Sequence, residues 1–217
     1  LDFLDPIDRQ IIIHEKYEND QVLFFKNQMN KTLFDYFFDI GSNSGYYSFY
    51  FADRFNNLKI KAFEPNSDSF DKFTKTLNKN SFQNIEVFNF GLSDQEKKVK
   101  MISIISHDYV HSNSTIIEDF NKDNGKNIKI LEGFVKVGDD LFHFSKKKLA
   151  FKIDVEGHEI HTLKGLINNL LDNSCLIMIE ISDKNFKKVN NFLIQNNFKQ
   201  IFKSKYRLDY VYTNFEI

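Results

Sequence analysis

The chain has a single cysteine, two prolines and almost no net charge in 217 residues, and each scarcity excludes something. One thiol cannot form an internal disulfide, so a disulfide-stapled scaffold is ruled out. Cys175 lies in an apolar run, which reads as a buried strand position and suits a reducing compartment. With 29 basic and 30 acidic residues the net charge is -1, which gives no electrostatic reason to expect nucleic acid or an anionic membrane as partner. No apolar run reaches the roughly 18 residues of a membrane span, and no basic-then-apolar start resembles a signal peptide. A cytoplasmic chain is therefore expected. The length suits one domain over residues 1–217, with residues 1–31 as an N-terminal cap. The first residue is Leu, so a longer parent protein stays open.

What the chain does have is Asp39 to Tyr46, reading DIGSNSGY, directly after the apolar run Leu33 to Phe38. A strand-length run, an acid, two glycines four apart and an aromatic-rich stretch at helical spacing predict strand, tight turn and helix. Gly41 and Gly45 suit a backbone that must turn with positive φ or approach a ligand closely. Ser42, Asn43 and Ser44 add turn chemistry, and Ser44 is the expected N-cap. A phosphate-binding P-loop is excluded, since no Gly-Lys-Ser/Thr follows.

In chain order, Gln21 to Lys31 predicts a short helix and Ser44 to Asn56 a second, broadly buried one. A strand at Lys59 to Phe63 ends in Glu64, Pro65 and Asn66, a helix covers Asp68 to Lys79, and a third strand runs from Asn84 to Phe90, stopped by Gly91. That alternation predicts an α/β fold with a parallel, doubly wound sheet and helices on both faces. Between Ser93 and Lys148 the pattern breaks. Lys97 to Ile105 and Phe134 to Phe142 read as strands of an insertion, a hairpin with a long loop on the acceptor side of the ligand edge. Regular alternation resumes with a strand at Leu149 to Val155, a helix at Glu159 to Leu171, a strand at Leu176 to Ile181 and a helix at Asp183 to Asn197. Two final strands, Phe198 to Lys203 and Leu208 to Tyr212, have too short a connection to be parallel and must pair antiparallel.

Asp39 and Glu64 end the first two strands, at the carboxyl edge where open α/β sheets bind ligands. Glu64 suits a ribose diol. Asp39 would repel a dinucleotide pyrophosphate but attract a ligand carrying ammonium and sulfonium groups, which favours S-adenosylmethionine over NAD. Asn89 to Asp94, with Gly91 and Leu92, would lie near the adenine through backbone and shape. The second informative stretch is KIDVEGHE, Lys152 to Glu159. Charges in a central strand need a reason; for Lys152 a structural reading, an ion pair with Glu180 on the next strand, stands beside a functional one. Asp154, Glu156 and His158 fall where that strand meets the ligand edge, with Gly157 turning the chain. They are the candidate catalytic residues, with His107 and His111 joining if the insertion folds over the site. Asp154, Glu156, Glu159 and Glu180 crowd one edge with oxygen ligands that suit Mg²⁺, so a divalent metal stays open although no residue is assigned to one.

DIGSNSGYYSF, AFEPN, NFGLSD and above all FKIDVEGHEIHTLKG resemble the FkbM family of S-adenosylmethionine-dependent methyltransferases. The resemblance implies a seven-stranded sheet with its last strand inserted antiparallel, S-adenosylmethionine as methyl donor, and a hydroxyl acceptor on a sugar or other natural product. Carried over, Asp39, Gly41, Asn43, Gly45 and Tyr46 match the methionine-side loop and Glu64 the ribose acid, while HEKYE places Glu18 at the donor's amino-acid end. The stretch VKVGDDLF departs from the family at Gly138, where a threonine-leucine pair is usual. Three classes stay in view: an O-methyltransferase, a nucleotide-dependent oxidoreductase on a Rossmann sheet, and a binding domain without turnover.

Overall fold

The computed structural model describes residues 19–106, 109–117 and 128–216. Glu18 and His107 lie outside them, as does the side chain of His111. Helix α1 (Asn19–Lys31) leads into β1 (Tyr36–Ile40), α2 (Tyr46–Arg54), β2 (Lys59–Phe63), α3 (Ser67–Asn78) and β3 (Ile85–Phe88). The next segment holds β4 (Gly91–Ser93), β5 (Lys97–Ser106), β6 (Tyr109–Ile117), β7 (Ile128–Val137) and the single turn α4 (Gly138–Leu141). Then come β8 (Lys148–Ile153), α5 (Glu159–Lys164), α6 (Ile167–Leu171), β9 (Ser174–Glu180), α7 (Asp183–Gln195), β10 (Lys199–Lys203) and β11 (Asp209–Thr213).

Seven strands form the main sheet in the order β10-β11-β9-β8-β1-β2-β3. β8, β1, β2, β3 and β9 run parallel, while β11 enters antiparallel between β9 and β10. The topological switch falls between β1 and β8, where open sheets leave a crevice beyond their carboxyl ends. Because side chains alternate along a strand, neighbours are buried in separate layers. Phe38 and Phe151 pack on the face covered by Leu163, Leu170 and Leu193, whereas Phe37 and Ala150 pack on the face covered by Phe25 and Phe51. Cys175 is fully buried on β9. No helix among the described residues is long and apolar enough to cross a membrane.

Several predicted boundaries are corrected. The segment after β3 is a second, four-stranded sheet, β4-β7-β5-β6, in which Gly91 begins β4 instead of merely stopping β3. The predicted strand Phe134 to Phe142 ends at Val137, and Gly138 opens the α4 turn. A Cβ on Gly138 would sit 2.4 Å from Leu166 Cδ2, so the departure from the family pattern falls at a tight helix contact. The predicted helix Glu159 to Leu171 is two helices broken at Gly165. A Cβ at Gly165 would lie 1.8 Å from the Ser93 carbonyl oxygen, so β4 presses on the chain there. Finally, Ser44 is not the N-cap of α2; Gly45 occupies that position at φ 89° and has no capping side chain.

The Gly165 contact is with backbone and cannot be relieved by a rotamer change. Gly165→Ala is expected to lower stability by about 1–3 kcal/mol or more. Urea-unfolding midpoints measure it, and a midpoint equal to wild type would contradict the close packing of β4 on the α5–α6 junction.

Candidate active site

The cap missing from Ser44 comes from the strand. Asp39 Oδ2 accepts the backbone N–H of Ser48 at 3.0 Å and its hydroxyl at 2.6 Å, satisfying a donor in the first turn of α2. Asp39 is 1% exposed, and burial raises its pKa to about 6 against the lowering effect of the Ser48 bonds and of Lys152. Above it the loop is held by the N–H groups of Gly41 and Ser42, both donating to the Phe63 carbonyl at 3.0 Å. Gly41 has φ 77°, and a Cβ there would lie 1.8 Å from the Asp154 carbonyl oxygen. The β1 and β8 loops thus touch at a point where no side chain fits.

Glu64 joins two loops at the end of β2. Its Oε2 accepts the Asn43 N–H and its Oε1 the Asn66 N–H, both at 2.8 Å. Burial raises its pKa to about 7 despite those bonds, with Asp39 and Asp154 adding repulsion. Asn66 in turn caps α3 by accepting the Asp68 N–H at 3.0 Å.

A cavity of about 180 Å³ opens between these loops and the β8–α5 turn. Of the predicted cofactor residues, Gly41, Ser42, Asn43 and Tyr46 line it from the first loop, Glu64 and Pro65 from the second, and Gly91 and Leu92 from β4. Asp39, Gly45 and Asn66 stand behind that wall and hold it. The predicted catalytic residues Asp154, Glu156 and His158 line it too, from the turn between β8 and α5. Sequence reasoning missed Ile116, Val135, Tyr47 and Arg207 in the same wall. Arg207 lies in the β10–β11 connection, more than 160 residues from the glycine loop, and no motif marks it. Two buried hydroxyls in the wall, those of Ser42 and Tyr47, have no hydrogen-bond partner among the described residues. Such groups fit a site that receives a polar ligand.

Lys152 is 2% exposed near the carboxyl end of β8, and its Nζ lies 2.9 Å from Asp154 Oδ2. The buried ion pair expected for Lys152 is present, with Asp154 as partner in place of Glu180: Lys152 and Asp154 are two apart and share one face of the strand. The ammonium also sits 5.0 Å from the Tyr47 ring centroid. Glu180 lines the cavity, and its pKa is raised to about 8, first by burial and then by repulsion from Asp154 that outweighs the pull of Lys152. His158 is 8% exposed, its Nε2 is 2.9 Å from Ser93 Oγ, and its ring stacks on His161 at 4.7 Å. His161 Nδ1 is 3.0 Å from both Asp94 oxygens, and its hydrogen bond and charge lower the Asp94 pKa against the opposing effect of burial. Ser93 and Asp94 belong to the NFGLSD stretch, where sequence alone predicts a role for backbone and shape only. Among the described residues no group of three or more His, Cys, Asp or Glu is arranged to hold a metal ion.

Sheet order, antiparallel β11 and glycine loop together define a class I S-adenosylmethionine-dependent methyltransferase fold. The Methyltransferase FkbM domain matches residues 39–208, and the chain belongs to that family. It is 30% identical over 150 residues to the hexuronic acid methyltransferase AglP of Haloferax volcanii, covering 68% of this chain and 56% of that protein. It spans 56% to 64% of the length of the curated relatives it matches. Among solved structures, a SAM-dependent methyltransferase from Aquifex aeolicus aligns with TM-score 0.51 at 13% identity, covering 96% of this chain and 93% of that one. A Streptococcus mutans methyltransferase structure in complex with SAH aligns with TM-score 0.53 at 12% identity, covering 91% and 98%.

Glu64 supplies a pH test of this geometry. Its folded pKa of about 7 lies above the ordinary 4.5, so the folded chain keeps a proton that the unfolded chain releases. Its contribution to stability is full below about pH 4.5 and is lost as pH rises through about 7. The urea midpoint of wild type minus that of Glu64→Gln should therefore fall between pH 5 and pH 8. A difference that stays constant would contradict a buried Glu64.

Proposed function

We propose that the chain transfers a methyl group from S-adenosylmethionine to a hydroxyl of a sugar or glycan. The observation that carries this reading is a single cavity lined by Glu64, by Asp154, Glu156 and His158, and by Ser42 and Tyr47, whose hydroxyls have no hydrogen-bond partner among the described residues. When bound there, the cofactor supplies an electrophilic methyl group on a cationic sulfur. Glu64 would accept the ribose hydroxyls, since a carboxylate holding two N–H groups keeps further lone pairs. Leu92, Ile116 and Val135 offer an apolar wall for a base ring. Ser42 and Tyr47 supply hydroxyl partners, and the carboxyl groups of the wall favour a cationic group.

The chain's own part in the reaction is orientation and proton removal. Asp154, fixed by Lys152, is the first candidate to accept the acceptor's hydroxyl proton, and His158, fixed by Ser93, is the second. Placement of the reacting oxygen in line with the methyl group supplies on the order of 7–11 kcal/mol in the best model systems. The sugar class is supported by the name of the Haloferax relative, and hydroxyl transfer by the family resemblance together with these two groups. The oxidoreductase alternative is opposed by the antiparallel β11, which dinucleotide-binding sheets of order 3-2-1-4-5-6 lack.

Incubation with S-adenosylmethionine and a panel of glycosides, followed by mass spectrometry and product NMR, tests the reading. The expected product carries one added methyl group on oxygen, and Asp154→Asn or His158→Ala is expected to slow turnover by about 10²–10⁴-fold. Methylation at nitrogen or carbon would overturn the hydroxyl reading. Wild-type turnover in both variants would overturn the proton-acceptor assignment.

A further inference from the structure

A second cavity of about 220 Å³ lies beside the first and shares Asp154, Glu156 and Glu180 with it. Thr115 of β6, Glu159 of α5, Ser182 and Lys184 at the start of α7, and Leu208 before β11 contribute to its wall. Ligands held in adjoining cavities can react where the two meet, which places the chemistry at the three shared carboxyl groups. A second feature lies in the same wall. Ser182 occupies the N-cap position of α7 yet makes no side-chain cap bond, and its Oγ is inaccessible and without a hydrogen-bond partner among the described residues. A buried hydroxyl in that state costs free energy until it gains a partner.

The charges around the cavity decide what kind of ligand it takes. Glu159 is already committed: Oε1 accepts the Gly157 N–H at 2.7 Å and Oε2 the Asn185 amide at 3.1 Å. Asp154 is paired with buried Lys152. Burial first and then Asp154, Asp209 and Glu156 disfavour the charged form of Glu180, with Lys152 pulling the other way. A carboxylate brought in by a ligand would meet the same burial and the same repulsion. Two cations stand near, against three shared carboxyl groups and Glu159. Lys184 is in the wall but exposed, so solvent screens its charge, and Arg207 lines the first cavity, where its charge acts on the buried Asp209. Hydroxyl and ammonium groups, which donate hydrogen bonds to carboxylates, are favoured instead.

We propose that this second cavity is the acceptor site and that it selects neutral or amino sugars over uronic acids, an inference that rests on the methyltransferase reading above. It sets this chain apart from the Haloferax relative, whose name specifies a hexuronic acid. The test uses protein saturated with S-adenosylhomocysteine at pH 7 and three matched probes, methyl β-glucoside, methyl β-glucosaminide and methyl β-glucuronide, with affinity read by saturation-transfer NMR titration. The glucoside and glucosaminide are expected to bind, the glucuronide at least about tenfold more weakly, and Glu156→Gln to narrow that gap. Equal or tighter binding of the glucuronide, or no binding by any probe while S-adenosylhomocysteine still binds, would overturn the acceptor assignment. If S-adenosylhomocysteine itself fails to bind, the methyltransferase reading falls and the acceptor assignment with it.

Discussion

The ligand edge of the sheet depends on a buried ammonium. Lys152 sits between Phe151 and Ile153 in the central strand β8, where the flanking strands β1 and β9 leave it almost no water. Burying a charge costs several kcal/mol unless partners surround it, and breaking such a pair costs about 3–5 kcal/mol. The partners are Asp154 at 2.9 Å and, at longer range, Asp39, Glu180 and Asp209, each of whose ionisation Lys152 favours. An apolar residue at this position would leave those carboxyl groups facing one another. The lysine lets a hydrophobic strand end among acids, and two of them, Asp154 and Glu180, line both cavities.

Backbone contacts give the edge its shape. The β1 loop lies so close to the β8 loop that a Cβ on Gly41 would come within 1.8 Å of the Asp154 carbonyl oxygen, while Glu64 ties the β1 loop to the β2 loop through two N–H groups. Asp39 anchors the helix that follows by accepting from Ser48. These bonds draw on groups already needed to terminate strands and start helices, so the cavity wall is formed by the same interactions that close the fold.

Much of this architecture is legible from local pattern. The alternating apolar runs place the strands to within a few residues, and the short connection between Lys203 and Asp209 forces the antiparallel pair that sets this sheet apart from a dinucleotide-binding one. Glu64 and the glycine loop can be found because strand ends and turn residues advertise themselves. What stays hidden depends on partners distant in sequence. Nothing local to Gly165 reveals that Ser93 presses on it, so a continuous apolar period reads as one helix where there are two. The β4-β7-β5-β6 sheet is obscured because β4 pairs with β7 in parallel across more than thirty intervening residues. Arg207 reaches the cavity from the far end of the chain. The Lys152–Asp154 pair is within reach of the period-two rule, and the cross-strand alternative Glu180 conceals it.

The central claim is that the cavity accepts an adenosyl ligand of the S-adenosylmethionine type and refuses a dinucleotide. Isothermal titration calorimetry of the purified protein with S-adenosylhomocysteine and, separately, with NAD tests this most directly. The account predicts saturable binding of the first with a stoichiometry of about one per chain and no heat of binding from the second. Saturable binding of NAD with none of S-adenosylhomocysteine would contradict it.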